Sequence, residues 1–232
     1  MPGRLIVLEG LDGSGKATQA SRLSDALRAL GYPVRSLSFP DYGSDSSALV
    51  RMYLRGDFGT EAGTVSPWAA SLFFTVDRCA GMLRDWGSFY AKGGILIADR
   101  YTTSNAVHQC CKLPQSEWDD YLGWLFELEY RRLGLPEPNL VLYLRLPPDE
   151  AERLVGRRYH GDEGKKDIHE RDDSYLRTAR TAAEYCAEKC GWTAVDCLRD
   201  GSLRPIDDIH AELMRLTLPV LGTPEDYTEF CS

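Results

Sequence analysis

The stretch that most limits what this chain can become is RLIVLEGLDGSGKATQ, residues 4–19. RLIVLE is a short apolar run of the kind that forms a buried strand. Glycines follow at once. Beyond Gly15, the residues Leu23, Ala26, Leu27 and Leu30 recur on one helix face until Gly31 stops the pattern. Within the turn, Gly10, Gly15 and Lys16 keep G-x-x-x-x-G-K spacing. In that arrangement backbone N–H groups and the helix N-terminus favour phosphate oxygens, and the lysine reaches the outer phosphates as a point charge. A Ser or Thr normally comes next and places a hydroxyl on Mg²⁺. Ala17 occupies that position. The loop is a working nucleotide site, an altered one or a dead one, and the rest of the chain has to decide.

The alternation of strand and helix continues. Residues 33–39, 94–98 (GILIA), 139–146 (NLVLYLRL) and 192–197 (WTAVDC) read as further strands. Helices are expected over 46–55, 66–90, 103–111, 115–133 and 149–156, after the charged stretch 157–173, and over 206–216 before an irregular tail. Five strands alternating with helices imply right-handed crossovers and a parallel sheet covered on both faces, an α/β fold of three layers. No repeat or linker interrupts residues 1–232, which read as a single domain.

A net charge of −8 argues against a nucleic-acid polymer or a membrane surface as partner. No run is apolar enough to span a bilayer, and the chain enters its first strand without a signal-peptide pattern, so a cytoplasmic setting is expected. The seven cysteines are an odd number without paired spacing, which fits reduced thiols. Cys186 and Cys190 could share a helix face as half a metal site, but no partner pair follows at zinc spacing.

Four features carry candidate chemistry. Asp12, inside the loop, is either a turn former or a carboxylate that holds a metal or a sugar hydroxyl. Asp99-Arg100-Tyr101 directly follows an apolar strand, so it shares the ligand-binding rim of a parallel sheet with the loop. There Asp99 could hold Mg²⁺ and Arg100 could clamp a second phosphate, although an ion pair at a strand end is the plainer reading without the loop. In FFTVDR, Phe74 and Arg78 are four residues apart on one helix face, fit to stack on a base and to hydrogen-bond it. In isolation the aromatic pair would be core and the arginine a solvated charge. Arg157, Arg158, Lys165, Lys166 and Arg171 make the stretch 157–173 basic enough to fold over phosphates as a lid, or to remain a solvated loop.

Taken in order along the chain, LEGLDGSGKATQ, SFPDY at 38–42, FFTVDR, ADRYTTSNAVHQ at 98–109 and LPEPNLVLYL at 135–144 resemble the thymidylate kinase family of nucleoside monophosphate kinases. The resemblance implies a P-loop NTPase fold with a mobile lid at about 156–173. It implies transfer of the γ-phosphoryl of ATP, with Mg²⁺, to a deoxynucleoside monophosphate, dTMP first among them. ATP would lie on Gly10, Leu11, Asp12, Gly13, Ser14, Gly15, Lys16, Ala17 and Thr18. The acceptor would meet Asp12, Phe39, Tyr42, Phe74, Arg78, Arg100, Ser104, Asn105 and His108, with Phe74 stacked on the base and Arg78 and Asn105 reading its edge. Asp12 and Asp99 would hold the metal, directly or through water. Gly13 stands where some members carry an arginine, so Arg157, Arg158 or Arg171 would supply the catalytic charge from the lid. A homodimer packed through 66–90 and 115–133 is also implied.

Three departures from the family pattern stand out. Ala17 removes the metal hydroxyl, His108 replaces an aromatic residue near the deoxyribose, and the KKDIHE segment makes the lid longer and more acidic. Two other readings compete with a monophosphate kinase. Glu9 could act as base for a nucleoside hydroxyl, or the protein could bind nucleotides without turning them over.

Overall fold

The computed structural model describes residues 3–59, 61, 63–147, 149–151, 153–154 and 173–230. The lid expected at 156–173, including Arg157, Arg158 and Arg171, lies outside these residues apart from Asp173.

Five strands, β1 (Arg4–Glu9), β2 (Val34–Ser38), β3 (Ile95–Asp99), β4 (Leu140–Arg145) and β5 (Thr193–Asp196), form one sheet in the order β2-β3-β1-β4-β5. Every pairing is parallel. The strands are almost unbroken apolar runs because both of their faces are covered. On one face Ile6, Leu8, Ile97 and Leu142 pack with Leu23 and Leu27 of α1 (Lys16–Ala29) and with Leu213 of α8 (Ile206–Leu221). The alternate residues Leu5, Val7, Leu96 and Ala98 face Phe39, Trp86 and Tyr101 on the other side. The expected three-layer α/β architecture is therefore present, and β1 is its central strand.

The helices between the strands are α2 (Ala48–Arg55), α3 (Pro67–Gly81), α4 (Gly87–Ala91), α5 (Thr102–Cys110), α6 (Trp118–Phe126) and α7 (Asp173–Lys189). The Ser66 hydroxyl accepts from the Ala69 N–H and Pro67 takes the first turn, so α3 starts where its sequence signals place it. The expected 66–90 helix is interrupted by a π turn, Met82–Trp86, and the 115–133 helix ends in another, Glu127–Arg132.

Two expectations need correcting. The last helix runs to Leu221 rather than 216, with Pro219 inside it. Leu218, Val220 and Leu221 pack on the sheet core, and that burial outweighs one lost helix hydrogen bond. The tail is also more ordered than expected. Tyr227 packs edge-on to Tyr32 at 5.7 Å and donates to the Leu221 carbonyl at 2.7 Å, while Tyr32 donates to the Gly222 carbonyl at 2.7 Å. A short hairpin, β6 (Leu198–Arg199) with β7 (Ser202–Leu203), was not expected, although its Asp200-Gly201 turn is a known hairpin signal. The described cysteines form no disulfide, and no three His, Cys, Asp or Glu groups among the described residues make a metal cage. No helix among them is long and apolar enough to cross a membrane.

Leu213 has no exposed surface and ties α8 to the sheet. Leu213→Ala should cost about 3 kcal/mol in a urea unfolding titration, within the ~2–5 kcal/mol range for a buried leucine.

Candidate functional site

The sheet register brings the site together. Leu8 of β1 pairs with Asp99 of β3, so the chain leaves both strands side by side at their carboxyl ends. Glu9 closes β1 and is 1% exposed. Its Oε2 accepts from the hydroxyls of Thr103 and Ser104 at 2.7 Å each, and its Oε1 from the Gly10 N–H at 2.9 Å. With its oxygens so occupied, Glu9 is a fixed anion and a poor candidate for a base acting on a hydroxyl.

That anion helps to hold Arg100. The Arg100 backbone lies in the left-handed region at φ 67°, and its N–H is bonded to the Leu8 carbonyl at 3.1 Å. A side chain there costs on the order of 1 kcal/mol and persists only when its surroundings enforce it. They do so from four directions. Nη2 donates to Asp12 Oδ1 at 2.5 Å, Nη1 to Ser104 Oγ and His108 Nε2 at 3.2 Å each, and Glu9 Oε1 lies 3.7 Å away. A guanidinium can only donate, so His108 Nε2 accepts and the ring carries its proton on Nδ1.

The loop faces this arginine. Gly13 and Gly15 adopt φ 83° and 86°, and no side chain caps the start of α1. A Cβ on Gly10 would lie 2.8 Å from both the Leu144 carbonyl and Ser14 Oγ, so only glycine fits between the loop and β4. Lys16 is buried, donates to the Leu11 carbonyl at 2.9 Å and stands 3.9 Å from Asp12 Oδ1. Burial, with Arg100 nearby, lowers its pKa. Burial acts to raise Asp12, but Arg100, Lys16 and His108 outweigh it and hold the carboxyl well below the usual range. Asp99 goes the other way, raised by burial against the pull of Lys16 and Arg100. Asp99 Oδ1 and Ser14 Oγ are buried and have no hydrogen-bond partner among the described residues. A buried carboxylate oxygen without a donor is a place for a cation. Ala17 and Thr18 are exposed on the first turn of α1.

The face expected to read a base is built differently from a solvated arginine beside an aromatic ring. Phe74 is half-buried and meets Tyr53 edge-on at 6.1 Å. Arg78 is 1% exposed, and its Nε and Nη2 both reach Glu129, with Nε to Oε2 at 2.9 Å. Asn105 donates through Nδ2 to the Ser71 carbonyl at 3.3 Å and to Glu129 Oε1 at 3.5 Å. Phe39 lies in the core against Tyr101, 5.9 Å between ring centroids, whereas Tyr42 is exposed. Asp77 accepts from the Asp41 N–H at 2.8 Å and so ties the SFPDY segment to α3. Glu129 is a further functional candidate that the motifs do not point to. It follows Tyr121 and Leu125 at four-residue steps on a buried stripe, and a carboxylate there is a signal that can be read.

Burial, together with the neighbouring Arg100 charge, pushes His108 from the usual 6.5 down to about 3. The unfolded chain then binds a proton that the folded chain refuses. The stability from this site is complete above pH ~6.5 and is lost as pH falls toward 3. Urea titrations should show stability rising between pH 4 and about 6.5, with a shallower rise in His108→Gln. Equal slopes would contradict a ring that the fold keeps neutral.

The thymidylate kinase family model matches residues 8–211. A Mycobacterium tuberculosis thymidylate kinase is 35% identical over 191 residues, covering 81% of this chain and 87% of that protein. The Plasmodium falciparum thymidylate kinase is 26% identical over 97% of this chain and 94% of its own. Among solved structures, a thymidylate kinase from Candida albicans covers 95% of this chain and 94% of its own with a TM-score of 0.69, and at 23% identity it attests the fold. With the model spanning most of its length, this chain belongs to the thymidylate kinase family.

Proposed function

We propose that the chain transfers the γ-phosphoryl of ATP to dTMP, giving ADP and dTDP, and that residues 1–232 act as one kinase unit. The observation that carries this reading is Arg100. It is a half-buried, backbone-strained arginine at a strand end, 2.5 Å from the carboxylate of the phosphate loop. A structural ion pair would not need a left-handed arginine held by four partners. An acceptor that already carries phosphate does, because bidentate guanidinium–phosphate pairing fixes its position for in-line attack.

In this reading the loop N–H groups and Lys16 receive the ATP phosphates, and the acceptor phosphate takes the place of Asp12 on Arg100. Asp12 then turns to the sugar or to the metal. Glu9, held by Thr103 and Ser104, keeps Arg100 aimed while that exchange takes place. Phe74 stacks on the base and Arg78 with Asn105 reads its edge. His108, neutral and hydrogen-bonded to Arg100, lies beside the sugar. Arg157, Arg158 or Arg171 supplies the further positive charge.

Mg²⁺ fits the residues present, because Asp99 Oδ1 is a buried acceptor without a donor among the described residues. Asp99 and Asp12 would hold the ion, through water where the Ala17 methyl replaces a hydroxyl. Bound there, it neutralises charge on the phosphate oxygens during transfer. Mg²⁺ normally keeps several waters, so one missing hydroxyl is a small loss.

Coupled ADP-release assays over a panel of monophosphates should show the highest kcat/KM with dTMP. Lys16→Ala should lower kcat by about 10²-fold or more, the scale of losing one transition-state contact. Ala17→Ser should change activity by less than about tenfold. Turnover that appears only in Ala17→Ser would make the natural protein a silent binder.

We also propose a cytoplasmic homodimer. Trp68, Leu72, Val76 and Leu83 are 39, 44, 51 and 77% exposed. The first three recur every four residues on the outer face of α3, too apolar for a solvated face. Light scattering should give a dimer mass for the natural chain and a monomer mass for Val76→Asp.

A further inference from the structure

We propose that Glu129 is the positioning residue that fixes which base the pocket accepts. It does so by dictating which atoms of Arg78 and Asn105 point to the ligand. This rests on the base-reading roles proposed above for Arg78 and Asn105.

Glu129 has no exposed surface, yet it accepts hydrogen bonds from two helices. From α3 come Thr75 Oγ1 at 2.6 Å to Oε1, and Arg78 through Nη2 to Oε1 and Nε to Oε2. From α5 come Thr102 Oγ1 to Oε2 and Asn105 Nδ2 to Oε1 at 3.5 Å. A carboxylate in the π turn of Glu127–Arg132 thus organises two helices that carry the base-reading side chains. π turns recur at functional sites.

The consequence is a polarity. The Nε–Nη2 edge of Arg78 is occupied by the carboxylate, which leaves Nη1, near the Tyr101 carbonyl at 3.5 Å, as its remaining nitrogen. That nitrogen can only donate. The Asn105 amide faces two groups that can only accept, the Ser71 carbonyl and the Glu129 carboxylate. Its NH₂ must lie on that side, and Oδ1, an acceptor, is left for a ligand. A donor beside an acceptor matches a base with a carbonyl at position 4 and an N–H at position 3. Thymine and uracil have that edge. Cytosine presents the reverse, an amino group and a bare ring nitrogen. Mispaired polar groups in a dry pocket reject a ligand far more strongly than a missing methyl group does.

Replacing the carboxylate by an amide should undo the polarity without changing shape. In Glu129→Gln, the new NH₂ meets an Arg78 N–H in either orientation and repels it, and in the Oε1 position it also meets the Asn105 NH₂, which it forces to flip. Glu129→Asp, by contrast, keeps the charge that balances Arg78 and both acceptor oxygens but draws them back by one methylene.

The experiment measures kcat/KM with dTMP and with dCMP for the natural chain and both variants, with thermal melting to establish folding. The dTMP-to-dCMP preference should fall by about tenfold or more in Glu129→Gln and by less in Glu129→Asp. A folded Glu129→Gln in which both substrates decline in proportion would leave Glu129 a purely structural residue and overturn the proposal. Should Glu129→Gln not fold, Glu129→Asp, whose shorter carboxylate cannot span both helices, decides: a fallen dTMP preference supports the proposal, and an unchanged one overturns it. A natural chain without dTMP preference would instead overturn the base-reading roles themselves.

Discussion

The site depends on how Arg100 is held. One guanidinium is bonded to Asp12 of the loop, to Ser104 and His108 of α5, and lies near Glu9 at the end of β1. These groups come from three separate parts of the chain, and the parallel pairing of β1 with β3 brings them to one rim. An exposed ion pair contributes ~1 kcal/mol at most and does not fix geometry. This one is largely withdrawn from water and multiply bonded, so its atoms are placed before any ligand arrives. Preorganised charge of this kind is what phosphoryl transfer asks of a protein, because the chemistry itself needs little covalent help.

A second arginine, Arg78, follows the same logic deeper in the protein. Removing one partner of such a buried pair costs about 3–5 kcal/mol, because the remaining charge is stranded. Its geometry is therefore well defended. The two arginines differ in burial: Arg100 is 17% exposed at its side chain, as the proposed exchange of a carboxylate for a phosphate requires. Arg78, at 2%, keeps its carboxylate and offers only a fixed edge. The altered loop fits the same picture. Ala17 takes away a hydroxyl, but Asp99 keeps a buried oxygen without a hydrogen-bond partner among the described residues.

Much of this is legible in the sequence because it is local. RLIVLE, GILIA and NLVLYLRL are apolar without alternation, and this marks strands covered on both faces. The glycines of the loop and the Asp-Arg after β3 sit at element ends, where short motifs fix position. What escaped was long-range. Nothing near Glu129 in sequence shows that Arg78, 51 residues earlier, will be its partner. Nor does the sequence around His108 reveal that burial will keep the ring neutral. The extension of α8 past Pro219 escaped for a related reason, since tertiary burial overrode a local stop signal.

The claim that Arg100 is built for an acceptor phosphate is tested most directly by calorimetric titration of dTMP and of thymidine into the natural chain and Arg100→Ala. The natural chain should bind dTMP at least about 10²-fold more tightly than thymidine, as expected of a bidentate charge-assisted pair. In Arg100→Ala that difference should largely vanish, with thymidine binding little changed. An Arg100→Ala protein that still preferred dTMP by the same factor would contradict the account.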